Sequence, residues 1–314
     1  MARPHVVFGT GAIGCALIDE LTRAGVPARA VNRYGRAAVP DGVDVVGGDA
    51  SDPAFAADAS EGAAVVYQCL NPPYHQWAEL FPSLQDSVVA AARSTEARYV
   101  SFENVYMYGD TGGRPMTETT PERPHSRKGA IRAAMAEQLR RLHDAGDLAV
   151  TTARAADYFG PRATSQSQLG DRVIGAALAG KSAQVIGDPD QVHSYTYALD
   201  AGRTLAALGI RDDTVGEIWH VPNAPARTTR EIIAMIGEEL GATIKVRVAP
   251  TMVLRVMGLV NPTVRELPEM LYEFTQPFIV DGGKATERLG LEPTPLEDAV
   301  RETVAWFREH GTSR

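Results

Sequence analysis

Apolar positions follow two different periods along the first half of the chain. Short apolar runs at 5–10, 27–33, 44–49, 64–70, 98–103 and 149–159 predict six strands. Between them, apolar residues recur at helical spacing over 12–24, 75–95 and 126–145, the first stopped by Gly25 and the last by Gly146. Strands separated by helices mean βαβ units, so the pattern predicts an α/β fold with a doubly wound parallel sheet. After Gly160-Pro161 the pattern loosens. Helical stretches at 169–179, 199–208, 229–240, 251–259, 264–275 and 296–308 mix with short strands at 183–186, 217–221 and 245–249. The expected organisation is a sheet domain over 1–160, to which later segments return. A smaller C-terminal substrate-binding lobe over 161–314 closes on the sheet's carboxyl edge, where ligands of such sheets sit.

Composition mainly excludes. The 314 residues are 44% hydrophobic and 22% charged, with a net charge of −8, and no basic stripe is present to neutralise nucleic-acid phosphates. No apolar run approaches the roughly 20 residues of a membrane span. The opening Met-Ala-Arg-Pro-His leads directly into the first apolar run, which leaves no room for a signal peptide, so the expected location is the cytoplasm. Two cysteines, Cys15 and Cys69, form no disulfide framework, and the seven histidines show no metal-ligand spacing. Only four of the 31 basic residues are lysine, so a lysine marks a place where ammonium chemistry or size matters.

Gly9-Thr10-Gly11-Ala12-Ile13-Gly14 stands between the first strand and the first helix. In that setting each glycine of GxGxxG has a task. Gly9 makes the tight turn, Gly11 lets backbone approach a pyrophosphate, and Gly14 allows close helix–strand packing. The N–H groups that start the helix then face the dinucleotide's negative charge. The second strand ends in Asn32-Arg33, with Arg36 beyond and no acid until Asp41. Asn32 can bond a ribose hydroxyl, and Arg33 and Arg36 can hold a 2′-phosphate or stand solvated on the surface. The missing acid tips the expectation to NADP(H). Asp49-Ala50 fits an adenine contact, with helix capping as the other reading of Asp49.

On these motifs the chain resembles an extended short-chain dehydrogenase/reductase, the superfamily of nucleotide-sugar epimerases and dehydratases, with a Rossmann domain. Gly48-Asp49, the fourth strand, the turn over 105–109, Tyr158-Phe159-Gly160-Pro161, the stretch 195–200, Trp219-His220-Val221-Pro222-Asn223, Lys284 and Trp306 carry the likeness further. The resemblance adds Leu70 and Tyr158 to the expected cofactor contacts. It also admits a homodimer through helices on one sheet face, although the charged helix over 126–145 reads as solvent-facing.

The catalytic positions depart from the family pattern. Counting back from Gly109 puts Asn104 where Ser or Thr belongs. Counting forward keeps Lys128 but puts Pro124 at the tyrosine, and no tyrosine lies between Tyr108 and Tyr158. The chain is thus similar to the atypical, tyrosine-less branch. Lys128 can hold the nicotinamide ribose or be an exposed helix lysine. Asn104 can polarise a carbonyl or serve a turn. Ser126, Tyr106, Tyr108 and Tyr158 are candidate proton donors.

Sugar-nucleotide enzymes of the superfamily favour Asn at the position of Asp157 and an Arg-Asp pair at His193-Ser194. Aromatic and methionine residues of the C-terminal half (Met252, Met257, Met270, Tyr272, Phe274, Phe278) instead read as core or as an apolar cleft lining, with Tyr74, Trp77 and His193 toward the substrate. The expected activity is NADPH-dependent reduction of a small organic ketone, polycyclic or aromatic. Two alternatives stand beside it. One is a nucleotide-sugar epimerase or dehydratase that retains NAD(P); the other is a non-catalytic NADP(H)-sensing protein.

Overall fold

A computed structural model of the chain describes residues 2–250 and 259–312. The strand His5–Phe8 (β1) is buried along its length between two parallel neighbours, Ala28–Asn32 (β2) and Val65–Gln68 (β4). Asp44–Gly47 (β3) extends the sheet beyond β2. Beyond β4 come Arg98–Asn104 (β5), Val150–Ala155 (β6) and Ile218–His220, all parallel. Chain order reverses direction between β1 and β4. That switch point opens a crevice at the carboxyl ends of the strands, and the doubly wound parallel sheet is as the sequence predicts.

Helices cover both faces. On one, Ala12–Arg23 (α1) packs against Ala198–Ile210, where a Cβ on Gly202 would lie 2.6 Å from the Ala16 backbone. The second half of the chain therefore returns to the sheet domain, both through this helix and through the strand Ile218–His220. The other face carries Pro53–Ala59 (α2), Trp77–Ser94 (α3) and Arg127–Asp144 (α4). Among the described residues no helix is long and apolar enough to cross a membrane.

Where local signals are complete, sequence and structure agree residue for residue. Thr229–Leu240 opens on a capping box of Thr228 with Glu231 and closes on Gly241 at φ 66°. Four stretches differ. The helix α2 has the start signal Asp52-Pro53, but seven residues are too few to show periodicity. The strand expected over 149–159 splits at Ala156, whose N–H donates to the Thr196 hydroxyl at 3.1 Å. Asp157–Phe159 (β7) then pairs with Tyr195–Tyr197 outside the main sheet. The helix expected over 264–275 is a short turn, Pro262–Arg265, and a 3-10 segment, Leu267–Phe274, because Pro268 lacks the N–H that an α-helix would need there. Gly170–Gly175 is a π-helical turn preceding the short helix Ala176–Leu178. The helix expected over 251–259 falls, apart from its last residue, outside the described residues, as do Met252 and Met257.

The sheet buries charge as well as hydrocarbon. Glu103 on β5 accepts from Arg154 Nε on β6 at 3.0 Å and lies 3.7 Å from Arg132 on α4, with all three side chains essentially without solvent contact. Arg154 also donates to Glu122 at 2.7 Å and to the Tyr108 hydroxyl at 2.9 Å. Tyr108 in turn contacts His220 Nε2 at 2.8 Å, while His220 Nδ1 reaches the Asp281 carbonyl. Burial lowers the His220 imidazole to about 4, so it is the neutral acceptor for the Tyr108 O–H.

Candidate active site

The glycine turn after β1 has two positions closed by protein and one left open. A Cβ on Gly9, at φ +99°, would lie 2.6 Å from the Cys69 carbonyl, and one on Gly14 would lie 1.8 Å from the Gly9 carbonyl. At Gly11 nothing lies within 4 Å. The protein's own packing thus demands Gly9 and Gly14, whereas the free space over Gly11 is a cradle that a side chain would fill. The residues fit a dinucleotide pyrophosphate at the start of α1, where Ala12 and Ile13 are buried and offer backbone only. Gly11→Val should therefore leave the melting temperature of the cofactor-free protein within about 1 °C of wild type. It should weaken dinucleotide binding at least tenfold in a calorimetric titration. Equal binding would remove the turn from the site.

At the end of β2, Asn32 serves its own loop. Its side-chain oxygen accepts from the Tyr34 and Gly35 N–H groups at 2.8 and 2.9 Å, and its amide donates to the Thr10 hydroxyl at 2.7 Å and the Arg36 carbonyl at 2.9 Å. Arg33 and Arg36 are exposed and make no ion pair among the described residues. Asp49 accepts from the Ser51 N–H and hydroxyl, and Asp52, not Asp49, caps α2. Ala50 is buried, and Leu70 packs on the same cluster.

The 3-10 segment Leu267–Phe274 is tied to the start of α4, where Glu269 accepts from the Arg127 N–H at 2.9 Å. Lys128, at the start of α4, is buried and donates to Glu266 at 2.7 Å and Glu269 at 3.0 Å, with its ammonium 4.2 Å from the centre of the Tyr74 ring. It is therefore no exposed helix lysine. The Asn104 oxygen accepts from the Tyr106 N–H at 3.3 Å, so it does shape the turn, while its amide nitrogen makes no hydrogen bond among the described residues. The rings of Tyr74 and Tyr106 both lie against Trp77, and burial pushes both phenols far above their ordinary range. Trp77 lies beneath, stacked on Tyr106 and donating to the Pro72 carbonyl, and is almost wholly buried.

Tyr108 and Tyr158, two of the candidate donors, already give their O–H to protein acceptors, whereas Ser126 is held as an acceptor. Ser126 caps α4 by accepting from the Gly129 N–H at 3.0 Å. Tyr108 belongs to the buried charge network, and the Tyr158 hydroxyl donates to Gln166 at 2.9 Å, with burial raising it to about 12. His193 joins the cleft through Asp157. Sequence reading did not single out Glu266, Glu269 and Glu273, because an irregular segment gives no period from which to place them. Glu273 is buried, its Oε1 has no hydrogen-bond partner among the described residues, and burial followed by the nearby Asp157 pushes its carboxyl well above the ordinary range.

A model of the NAD dependent epimerase/dehydratase family matches residues 6–221. The dTDP-glucose 4,6-dehydratase of Xanthomonas campestris pv. campestris is 30% identical over 219 residues, which cover 68% of this chain and 58% of that protein. Two solved structures are similar over nearly all of both chains. DesIV, a dTDP-glucose 4,6-dehydratase of Streptomyces venezuelae solved with NAD and TYD, has a TM-score of 0.79 at 19% identity, covering 98% of this chain and 97% of its own. The UDP-glucose 4-epimerase of Thermotoga maritima, solved with UDP-glucose, has a TM-score of 0.81 at 18% identity, covering 98% and 99%.

These findings correct three expectations. Five of the similar structures were solved with NAD, against the NADP(H) assignment, which falls. The missing acid after β2 was its basis, and that position is filled by an amide that braces the loop. The NADPH ketoreductase and its small ketone fall too, since the matching family model is that of epimerases and dehydratases and three curated relatives are dTDP-glucose 4,6-dehydratases. Of the aromatic and methionine residues that suggested an apolar cleft, the four described ones pack within the protein. Met270 and Phe278 are buried, Phe274 stacks on His193, and Tyr272 lies edge-on to His125.

Proposed function

The chain belongs to the NAD dependent epimerase/dehydratase family, and on that premise we propose that it is an NAD-dependent enzyme that epimerises or dehydrates a nucleotide-activated sugar. The observation that carries this reading is the open cradle at Gly11 just after β1, in a parallel sheet whose strand β5 ends at Asn104, with Lys128 over the ring of Tyr74 in the segment that follows β4. The turn from Gly9 to Gly14 would hold the pyrophosphate, Asp49, Ala50 and Leu70 the adenosine side, and Lys128 and Tyr158 the nicotinamide side. When bound, NAD supplies a reversible hydride acceptor. An ammonium has three N–H donors, of which Glu266 and Glu269 engage two, so Lys128 keeps one for a ribose hydroxyl. The free amide of Asn104 would donate to a sugar oxygen and stabilise charge as it develops there.

The test is direct. Protein denatured after purification should release NAD, identified by mass spectrometry. Incubation with dTDP- and UDP-hexoses should give a new nucleotide sugar on anion-exchange chromatography, with no net build-up of NADH. Failure to convert any of them, or release of NADP in place of NAD, would reject the reading.

A further inference from the structure

We infer that Asp157 is the catalytic acid–base of this site and that it works as a proton-sharing pair with His193, which positions it. The inference rests on the function proposed above for its substrate, but its geometry stands alone. The His193 ring is 2% exposed and lies against Phe274 and Phe278, with ring centres 5.0 Å apart in each case and planes within 5° and 19°. Its Nδ1 is 3.1 Å from the Glu273 carbonyl oxygen and its Nε2 is 3.1 Å from Asp157 Oδ2. A carbonyl only accepts, so Nδ1 must carry hydrogen. An ionised carboxylate also only accepts, so the second contact needs a second proton, on Nε2 or on Oδ2. With both contacts made as hydrogen bonds, the pair has room for one proton more than a neutral imidazole and a carboxylate, shared between Nε2 and Oδ2.

That proton has one way out. The Asp157 side chain is 24% exposed, whereas His193 is sealed. Asp157 opens β7, two residues beyond Ala155, which pairs in register with Asn104 at the tip of β5. The other titratable groups facing Asp157 cannot take its role. Burial raises the phenols of Tyr74, Tyr106, Tyr158, Tyr195 and Tyr272, which makes them poor bases; burial and then Asp157 raise Glu273, whose carboxyl is itself buried; and Arg172, which burial pulls down, has no proton-accepting atom. The two departures from the family pattern at 157 and 193 thus meet in one hydrogen bond. They supply a proton-carrying group to a cleft whose expected tyrosine position is Pro124.

The step balances as follows. With the pair unloaded, the O–H bond of a sugar hydroxyl breaks and its proton enters between Oδ2 and Nε2. The carbinol C–H bond breaks with it, and its hydrogen and electron pair reduce the oxidised nicotinamide as the alcohol carbon becomes a carbonyl. In the returning half the carbonyl is reduced, and the loaded pair gives the same proton back to oxygen through Asp157.

Nitrogen-15 NMR of the imidazole side chains in the NAD-bound protein tests the pair without relying on turnover. Nδ1 of His193 should carry hydrogen throughout a pH titration, and one further proton shared with Asp157 should be lost in a single step as pH rises. Asp157→Asn should abolish that step and lower turnover by about 10²–10⁴-fold with NAD still bound. His193→Gln should lower kcat more than it raises KM and should shift the pH profile, which a purely structural role would not do. A bare Nδ1, or an unchanged titration and turnover in Asp157→Asn, would overturn the inference. Absence of nucleotide-sugar turnover in wild type would instead reject the function above, while the titration would still decide the pair.

Discussion

Glu103→Gln should destabilise the fold by about 3–5 kcal/mol, the range seen when one partner of a buried ion pair is removed. Glu103 is the one anion shared between two buried guanidinium groups, Arg154 at 3.0 Å and Arg132 at 3.7 Å. Their dependence on it differs. Arg154 keeps Glu122 and the Tyr108 hydroxyl in the variant. Arg132 keeps no carboxylate. Its Nε and Nη2 already make no hydrogen bond, and its remaining neighbours are Met135 sulfur at 3.7 Å and the Phe81 ring at 4.7 Å. Burial pulls its pKa down, Glu103 is the main group holding it up, and Arg154 and Tyr99 act in opposite directions beside it, so without Glu103 the main favourable influence is lost. For a chain of this size the loss corresponds to a fall in Tm of about 5–8 °C. Urea unfolding followed by circular dichroism measures it, and a double-mutant cycle identifies the cause. Adding Arg132→Met to Glu103→Gln should recover much of the loss, because the stranded cation is then replaced by an apolar chain beside Met135 and Phe81. A loss below about 1 kcal/mol, or a double variant no more stable than Glu103→Gln, would mean that the charge network does not carry this part of the fold.

What could be read in advance depended on how far apart the determining residues lie in the chain. The glycine turn was legible because Gly9 and Gly14 meet atoms of the adjacent strand tip and of the turn itself. The helix Thr229–Leu240 was legible because its signals sit at its own two ends. The end of β2 misled because composition alone cannot show that the Asn32 amide turns back to Thr10 and Arg36. Among the site residues, Lys128 was singled out but its partners were not, since Glu266 and Glu269 lie 138 and 141 positions away on a segment without helical period. Tyr108 and Trp77 look like cleft residues in the sequence and are core in the fold. Asp157 and His193 were each visible as departures from a family pattern. Their contact was not, because it depends on the chain leaving the main sheet at Ala156.

Glu273→Gln should stabilise the protein, and the gain should grow with pH. The Glu273 carboxyl is buried, its Oε1 makes no hydrogen bond among the described residues, and burial followed by Asp157 raises its pKa well above the ordinary value. The sign follows from linkage. A carboxyl whose folded pKa lies above its unfolded value of about 4.3 contributes its full stability below that value, and loses it as pH rises toward the folded pKa. Across that window wild type should lose about 1.4 kcal/mol per pH unit through this group. Glutamine is neutral at every pH and close in shape, so the variant lacks this slope. Any cost of its extra N–H donors is the same at each pH, which leaves the slope as the readout. Unfolding free energies of both proteins measured at pH 5, 6, 7 and 8 should nearly coincide at the acid end, apart from that constant, and diverge steadily above it. Parallel curves would show that Glu273 ionises in the fold as freely as in the unfolded chain, and the carboxyl under the 3-10 segment would then have to be open to water.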